Sequence, residues 1–329
     1  MTVSKALRDE PDVSNATKLR VKQLAVQTGY VPDSSAQGLR TKTTKLFGVV
    51  IPATTNAVYA RIVYAIEERA HDLGYDLLLA HTQNKPEREE ICLRHLLSRR
   101  VDGLFISPVY RYEAEARIYQ EILVRATPTL LLGPPAPFCR FFPSMEIEEL
   151  IASYNLTRHL IKLGHRRIAY LTGPTVAPWA HERFEGYRRA LREANIEVDD
   201  KFVFQAGNTI EEGTKAALQL LNEGCPATAI QAVSDTVAIG CAETLLSQGL
   251  RIPEDVSLAG FGNILAAEYY RVPLTTVRQP KLRLGLAAVD TMMALLRGEK
   301  IQPRRMAAEL IERKSTAPPR LETTGHSKV

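Results

Sequence analysis

The chain has 329 residues, 45% of them apolar and 24% charged. That is ordinary for a soluble protein and long enough for two or three domains with cores of their own. No apolar stretch approaches the length of a membrane span, and no charged leader precedes an apolar core, so neither membrane insertion nor secretion is expected. Cys92, Cys139, Cys225 and Cys241 lack metal or redox spacing, which fits a reducing cytoplasm and predicts no metal and no cofactor. Of the net charge of +5, residues 1–45 carry +4: Lys5, Arg8, Lys18, Arg20, Lys22, Arg40, Lys42 and Lys45 against Asp9, Glu10, Asp12 and Asp33. A basic segment ahead of a near-neutral body fits a polyanion-binding arm, and a solvated start of the chain fits equally well.

The opening, MTVSKALRDEPDVS, reads as a helix already under way, with no capping residue before Thr2. Ser14 offers an N-cap to a second helix, in which Val21, Leu24, Ala25 and Thr28 share a face. Gly29 closes that helix, and Tyr30-Val31-Pro32 turns the chain away. Residues 33–45, DSSAQGLRTKTTK, have linker composition and one apolar residue, Leu39. A segment as short as Ser35–Arg40 falls well below the ~12–15 residues an isolated helix needs, so no free-standing helix is expected there.

From Leu46 the pattern changes. Apolar runs at 46–51, 76–80, 103–106, 129–132, 168–171, 229–233 and 256–261 alternate with helical stretches near 57–73, 86–99, 147–163, 182–195, 211–223, 236–249 and 281–297. Gly74, Gly164, Gly224 and Gly249 stand at helix ends. Continuous apolar strands between helices predict α/β architecture with parallel sheets covered on both faces. The number of units predicts two doubly wound parallel-sheet subdomains, preceded by a helix fragment and a second amphipathic helix. Residues 322–329 read as a polar tail. The chain contains no G-x-S-x-G, Walker loop, G-x-G-x-x-G or H-E-x-x-H, and Gly164 separates His159 from His165, so an enzyme is not expected. His165 fits packing and capping.

At this point the sequence resembles the LacI-GalR family of bacterial transcription regulators over nearly its whole length. TVSKAL is similar to that family's recognition helix, VSNATKLRVKQLAVQTGYVPD to its third headpiece helix, and SSAQGLRTKTTKLFGVVIP to its hinge helix and first core strand. LGHRRIAYLTGP, RFEGYRRAL, LRIPEDVSLAGF, PLTTVRQP and ELIERKSTAPP are similar to landmarks of the core. The resemblance implies a partial helix-turn-helix headpiece over 1–32, a hinge over 33–45 and an effector-binding, dimerising core over 46–320. Within that core the expected first subdomain is about 46–146 plus 281–300, and the second about 147–277 plus 303–318; 321–329 is the tail. It also places Met1 inside the recognition helix, so a mis-assigned start or a truncated regulator is expected, with weak operator binding by the chain as written. A stand-alone ligand receptor on the same core is the competing class, and residues 1–45 speak against it.

The partners so implied are operator DNA, a small-molecule effector and a second copy of the chain, with no membrane. Lys5 is the foremost candidate for a base contact, because an ammonium donates to the acceptors of guanine; it lacks the planar fork of the arginine common there, so looser specificity is expected. Thr2, Ser4, Ser14, Thr17 and Tyr30 carry hydroxyls where the family contacts phosphates, although exposed hydroxyls and a simple cap at Ser14 fit the same residues. Gln37 and Leu39 of the hinge complete the set, with Leu39 as a wedge into the minor groove or a chance surface leucine.

For the effector, Tyr59 fits either ring stacking or helix packing. Trp179, the sole tryptophan, is expected in a loop, as a ligand platform or a loop anchor. Arg183 of the R-x-x-G-Y pattern is the foremost candidate: a guanidinium clasps vicinal hydroxyls or a carboxylate, while a surface arginine at a helix start is the plain alternative. Asp235 is expected as an N-cap and as a ligand acceptor, and Gln279 at a crossover within reach of the cleft. Where the family carries an effector-binding aspartate after VSLAGF, this chain has Gly262-Asn263, so that acceptor is missing. The implied function is an effector-responsive repressor, most simply of a carbohydrate; a receptor core without competent DNA binding is the alternative.

Overall fold

The computed structural model describes residues 2–7, 9–30 and 43–320, which fall into two units divided between Lys45 and Leu46. Gln37 and Leu39 lie outside the described residues, as do the side chains of Thr2 and Ser4.

The first unit holds α1 (Thr2–Leu7) and α2 (Asn15–Thr28). Ser14 caps α2 by accepting from the Thr17 N–H at 3.4 Å. Gly29, at φ 64°, ends it, and the N–H groups of Gly29 and Tyr30 close onto the carbonyls of Val26 and Ala25. Ala6 and Val13 are buried, but no residue of α2 is, and Leu24 remains 60% exposed. The expected apolar stripe therefore stays largely open, because the six-residue α1 is too short to cover it.

The second unit contains two parallel sheets. The first has the order β11-β5-β4-β3-β1-β2, from β1 (Leu46–Ile51), β2 (Asp76–His81), β3 (Gly103–Ile106), β4 (Thr129–Leu132), β5 (Ser144–Ile147) and β11 (Arg304–Met306). The apolar runs alternate between its two faces. Phe47, Val49 and Ile51 pack against α3 (Ala57–Asp72) and α11 (Lys281–Leu296). Val50 packs with residues of α4 (Pro86–Ser98) and α5 (Arg117–Val124).

The second sheet has the order β7-β6-β8-β9, from β6 (Ile168–Thr172), β7 (Val203–Gln205), β8 (Ala229–Ala232) and β9 (Ser257–Ala259). Ala169 and Leu171 pack with α8 (Ile210–Asn222) and α9 (Asp235–Ser247), while Ile168 and Tyr170 face α6 (Glu149–Lys162) and α7 (Pro178–Glu193). The short α10 (Leu265–Glu268) follows β9, and β10 (Thr276–Arg278) pairs antiparallel with β12 (Glu309–Ile311).

The α/β class and the doubly wound parallel sheets are as the resemblance implied. Two helix starts, the place of one strand and several short elements differ from expectation. Ile147 ends a strand, and α6 starts only at Glu149. α7 starts at Pro178, four residues before the expected helix, because proline at the first helical position needs no N–H partner. β11 was assigned to the second subdomain but joins the edge of the first sheet through parallel pairing with β5. α5, β5, β7, β10 and β11 have no counterpart in the sequence pattern, being short and weakly periodic, whereas β12 falls in ELIERKSTAPP, where the resemblance implies a C-terminal strand.

Candidate functional site

Residues at or just after the carboxyl ends of β1, β3 and β4 and of β6, β8 and β9 line one crevice, the place where doubly wound sheets hold ligands. A cavity of about 360 Å³ lies there, lined from both sheets. Tyr59, Ser107, Tyr110 and Leu132 come from the first lobe, and Trp179, Arg183, Asp235 and Phe261 from the second. Glu149 and Gln279, beside the crossovers between lobes, complete the wall.

Arg183 is 6% exposed and belongs to the body of α7, not to a surface helix start. Its Nε donates to Glu149 Oε2 at 2.7 Å, and its Nη1 donates to the Val233 carbonyl at 2.7 Å. The guanidinium carbon lies 3.7 Å from the Phe261 ring centroid and 4.7 Å from that of Trp179. The charge is thus neutralised by Glu149, and two rings hold the plane. What this arrangement offers a ligand is a fixed fork of N–H donors flanked by aromatic faces.

Trp179 sits in the first turn of α7 rather than in a loop, and borders the cavity. Asp235 is not the cap of α9; Ser234 is, accepting from the Val237 N–H at 3.3 Å. Asp235 is buried, accepting from the Thr276 hydroxyl at 2.5 Å and the Ile264 N–H at 2.9 Å. Burial pushes its carboxyl above the ordinary range. Both oxygens are therefore engaged, one holding the loop that follows β9 and the other β10. Tyr59 shares a 2.7 Å hydrogen bond with Ser107, and burial raises its phenol. Gln279 donates to Glu149 Oε1 at 3.5 Å, so its contact with the ion pair is weak.

The Gly262-Asn263 departure has a structural counterpart. Lys281 at the start of α11 donates to the carbonyls of Gly262 at 2.5 Å and Asn263 at 3.0 Å, and the Asn263 side chain accepts from Arg313 at 2.7 Å. These groups turn toward each other, not toward the cavity. Burial holds the Lys281 ammonium down to about 8.

Sequence reasoning missed Glu149, Tyr110, Ser107 and Phe261. Ser107 and Tyr110 follow β3 directly, so the rule that ligands gather beyond strand ends, applied to every strand, finds them. Tyr110 donates to the Pro134 carbonyl at 2.8 Å, which ties the segments after β3 and β4 together. Of the proposed DNA contacts, Lys5 is ion-paired with Asp12, Thr17 shares a 2.9 Å hydrogen bond with Ser14, and Tyr30 is 54% exposed. Among the described residues no cluster of His, Cys, Asp or Glu is arranged to hold a metal, and no helix is long and apolar enough to cross a membrane.

Two parallel-sheet lobes thus enclose a cavity of ligand size, the architecture of a periplasmic-binding-protein-like core. Residues 157–316 match the family model of a periplasmic binding protein-like domain. The chain is 31% identical over 317 residues to the HTH-type transcriptional repressor CytR of Escherichia coli (strain K12), covering 96% of this chain and 92% of that one. It is 30% identical over 292 residues to the repressor PurR of Haemophilus influenzae (strain PittEE), covering 89% and 86%. Among solved structures, the lac repressor dimer bound to operator and the anti-inducer ONPF superposes with a TM-score of 0.84 at 27% identity, covering 96% and 94%. The chain belongs to the LacI family of transcriptional regulators. These relatives are regulators of transcription, not enzymes.

Proposed function

We propose that this chain is an effector-responsive repressor whose effector is a carbohydrate bound in the cavity between the lobes. The observation that carries this reading is Arg183, presented to the cavity between Trp179 and Phe261. Aromatic faces suit the C–H face of a sugar ring, and a held guanidinium suits paired hydroxyls. Two similar structures support it: the regulator CelR, in complex with cellobiose, has a TM-score of 0.75 at 27% identity over 95% of each chain, and the lac repressor dimer is bound to its operator.

In this reading two copies of the chain address a near-palindromic operator through Lys5, Ser14, Thr17, Tyr30 and the hinge residues Gln37 and Leu39, with Thr2 and Ser4 beside them. The effector acts only through its different affinity for the two lobe arrangements. The test is a thermal-shift screen of the full chain against sugars, with nucleobases as the comparison set, because a ligand of the native state raises its apparent stability. A sugar that raises the midpoint of the wild type but not of Arg183→Lys supports the proposal. Shifts given only by nucleobases, or by no compound, overturn the carbohydrate assignment.

A further inference from the structure

Glu146 and Glu182 belong to different lobes, one on β5 of the first sheet and the other on α7 of the second lobe. One cation lies between them. Arg305 of β11 places its Nη2 2.9 Å from Glu146 Oε2 and 2.8 Å from Glu182 Oε1, and its Nη1 3.3 Å from Glu182 Oε2. Glu146 is 4% exposed and accepts from the Ser144 hydroxyl at 2.6 Å, so its carboxylate has little freedom to turn away. β11 pairs in register with β5, Arg305 opposite Glu146, which anchors the arginine to the first lobe. Glu182 directly precedes Arg183, and three residues earlier the same helix carries Trp179. Arg305 itself does not line the cavity.

We propose that Arg305 is a positioning residue that holds the cleft closed, by drawing the start of α7, and with it Trp179 and Arg183, onto the first lobe. Opening the lobes separates Glu182 from Arg305. Removing the guanidinium does more than delete one attraction, because it leaves two carboxylates of opposite lobes facing each other around a half-buried gap. The contact is partly exposed, so it is salt-sensitive, and its strength is that of a bridge shared between a buried and a half-buried carboxylate. The inference rests on the cavity being the ligand cleft but needs no ligand for its test, so its failure leaves the carbohydrate screen untouched.

Trp179 is the only tryptophan and therefore reports on the cleft directly. Acrylamide quenching of its fluorescence is measured on the full chain, wild type and Arg305→Gln, from low to high salt, beside the thermal unfolding midpoint. The expected result is that quenching of the wild type rises with salt, while the variant starts above the wild type's high-salt value and falls toward it as salt screens the repulsion between Glu146 and Glu182. This corresponds to a shift of about five-fold in the open-to-closed ratio. Arg305→Lys, which reaches one carboxylate at a time, falls between the two. Glu182→Gln, which keeps the Arg305–Glu146 pair, stays at the wild type's high-salt quenching at every salt concentration and covers the case in which Arg305→Gln fails to fold. Unchanged quenching with unchanged salt dependence overturns the proposal, and so does a lowered unfolding midpoint with wild-type quenching in the folded state, since the contact is then structural only.

Discussion

Arg183 and Glu149 are joined by a 2.7 Å hydrogen bond between residues that are each at most 6% exposed, one on the helix after β6 and the other on the first turn of the helix after β5. An ion pair so far from water stands on mutual neutralisation, and losing one partner leaves the other charge uncompensated. Glu149→Gln is expected to cost about 3 kcal/mol of unfolding free energy. The double variant Glu149→Gln with Arg183→Met costs less than Glu149→Gln alone, because no buried charge remains. Urea denaturation of the wild type, Glu149→Gln, Arg183→Met and the double variant checks this; a double variant with the summed cost of its singles would contradict it.

A pH dependence follows from two buried imidazoles. Burial holds His159 and His165 below the ordinary histidine range. His165 Nε2 lies 2.8 Å from the Ala317 carbonyl, which only accepts, so this nitrogen carries the proton, and Nδ1 accepts from the Thr228 hydroxyl at 3.0 Å. As pH falls the unfolded chain takes up protons first. The stability these groups hold above their unfolded pKa is therefore lost as pH falls through their depressed folded values, from about pH 7 downward. The unfolding midpoint should drop across that range, and His159→Gln and His165→Gln should each flatten the slope. A flat profile in the wild type from pH 7 to about pH 5 would count against it.

Tyr170 tests the opposite case. Its ring is fully buried against Phe184 and Tyr187, with centroids 5.2 Å and 4.9 Å away, yet among the described residues its hydroxyl has no hydrogen-bond partner. A buried hydroxyl left unpaired costs its desolvation with nothing in return. Tyr170→Phe should equal the wild type in stability or exceed it by up to about 1 kcal/mol. A loss of similar size in urea would show that the hydroxyl is satisfied in solution.

α8 and α9 approach closely at Gly240, where an added Cβ would lie 2.0 Å from the Ile210 carbonyl oxygen. That neighbour is backbone and cannot swing aside, so the helices must part. Gly240→Ala should destabilise by about 1–3 kcal/mol despite alanine's better helix propensity. An increase in stability, the result expected of a free helix surface, would refute the close crossing.

What was legible in the sequence was local. Apolar runs of four to six residues, most of them followed by a helical period, announced the parallel strands, and Gly74, Gly164, Gly224 and Gly249 marked helix ends at positive φ because such turns favour a residue without a side chain. Arg183 and Trp179 stood out by residue type and position, and both line the cavity. Only the tertiary structure decided what they meet. Glu149 is 34 residues from Arg183 and Phe261 is 78, and no periodicity within a helix or strand links such distances. The same holds for β11, whose three residues carry too little pattern to name a lobe, and for Asp235, whose capping signal was genuine but was answered one residue earlier by Ser234. Backbone periodicity is set by neighbours three or four positions away, whereas a buried charge takes whichever partner the packing of two lobes brings within hydrogen-bond reach.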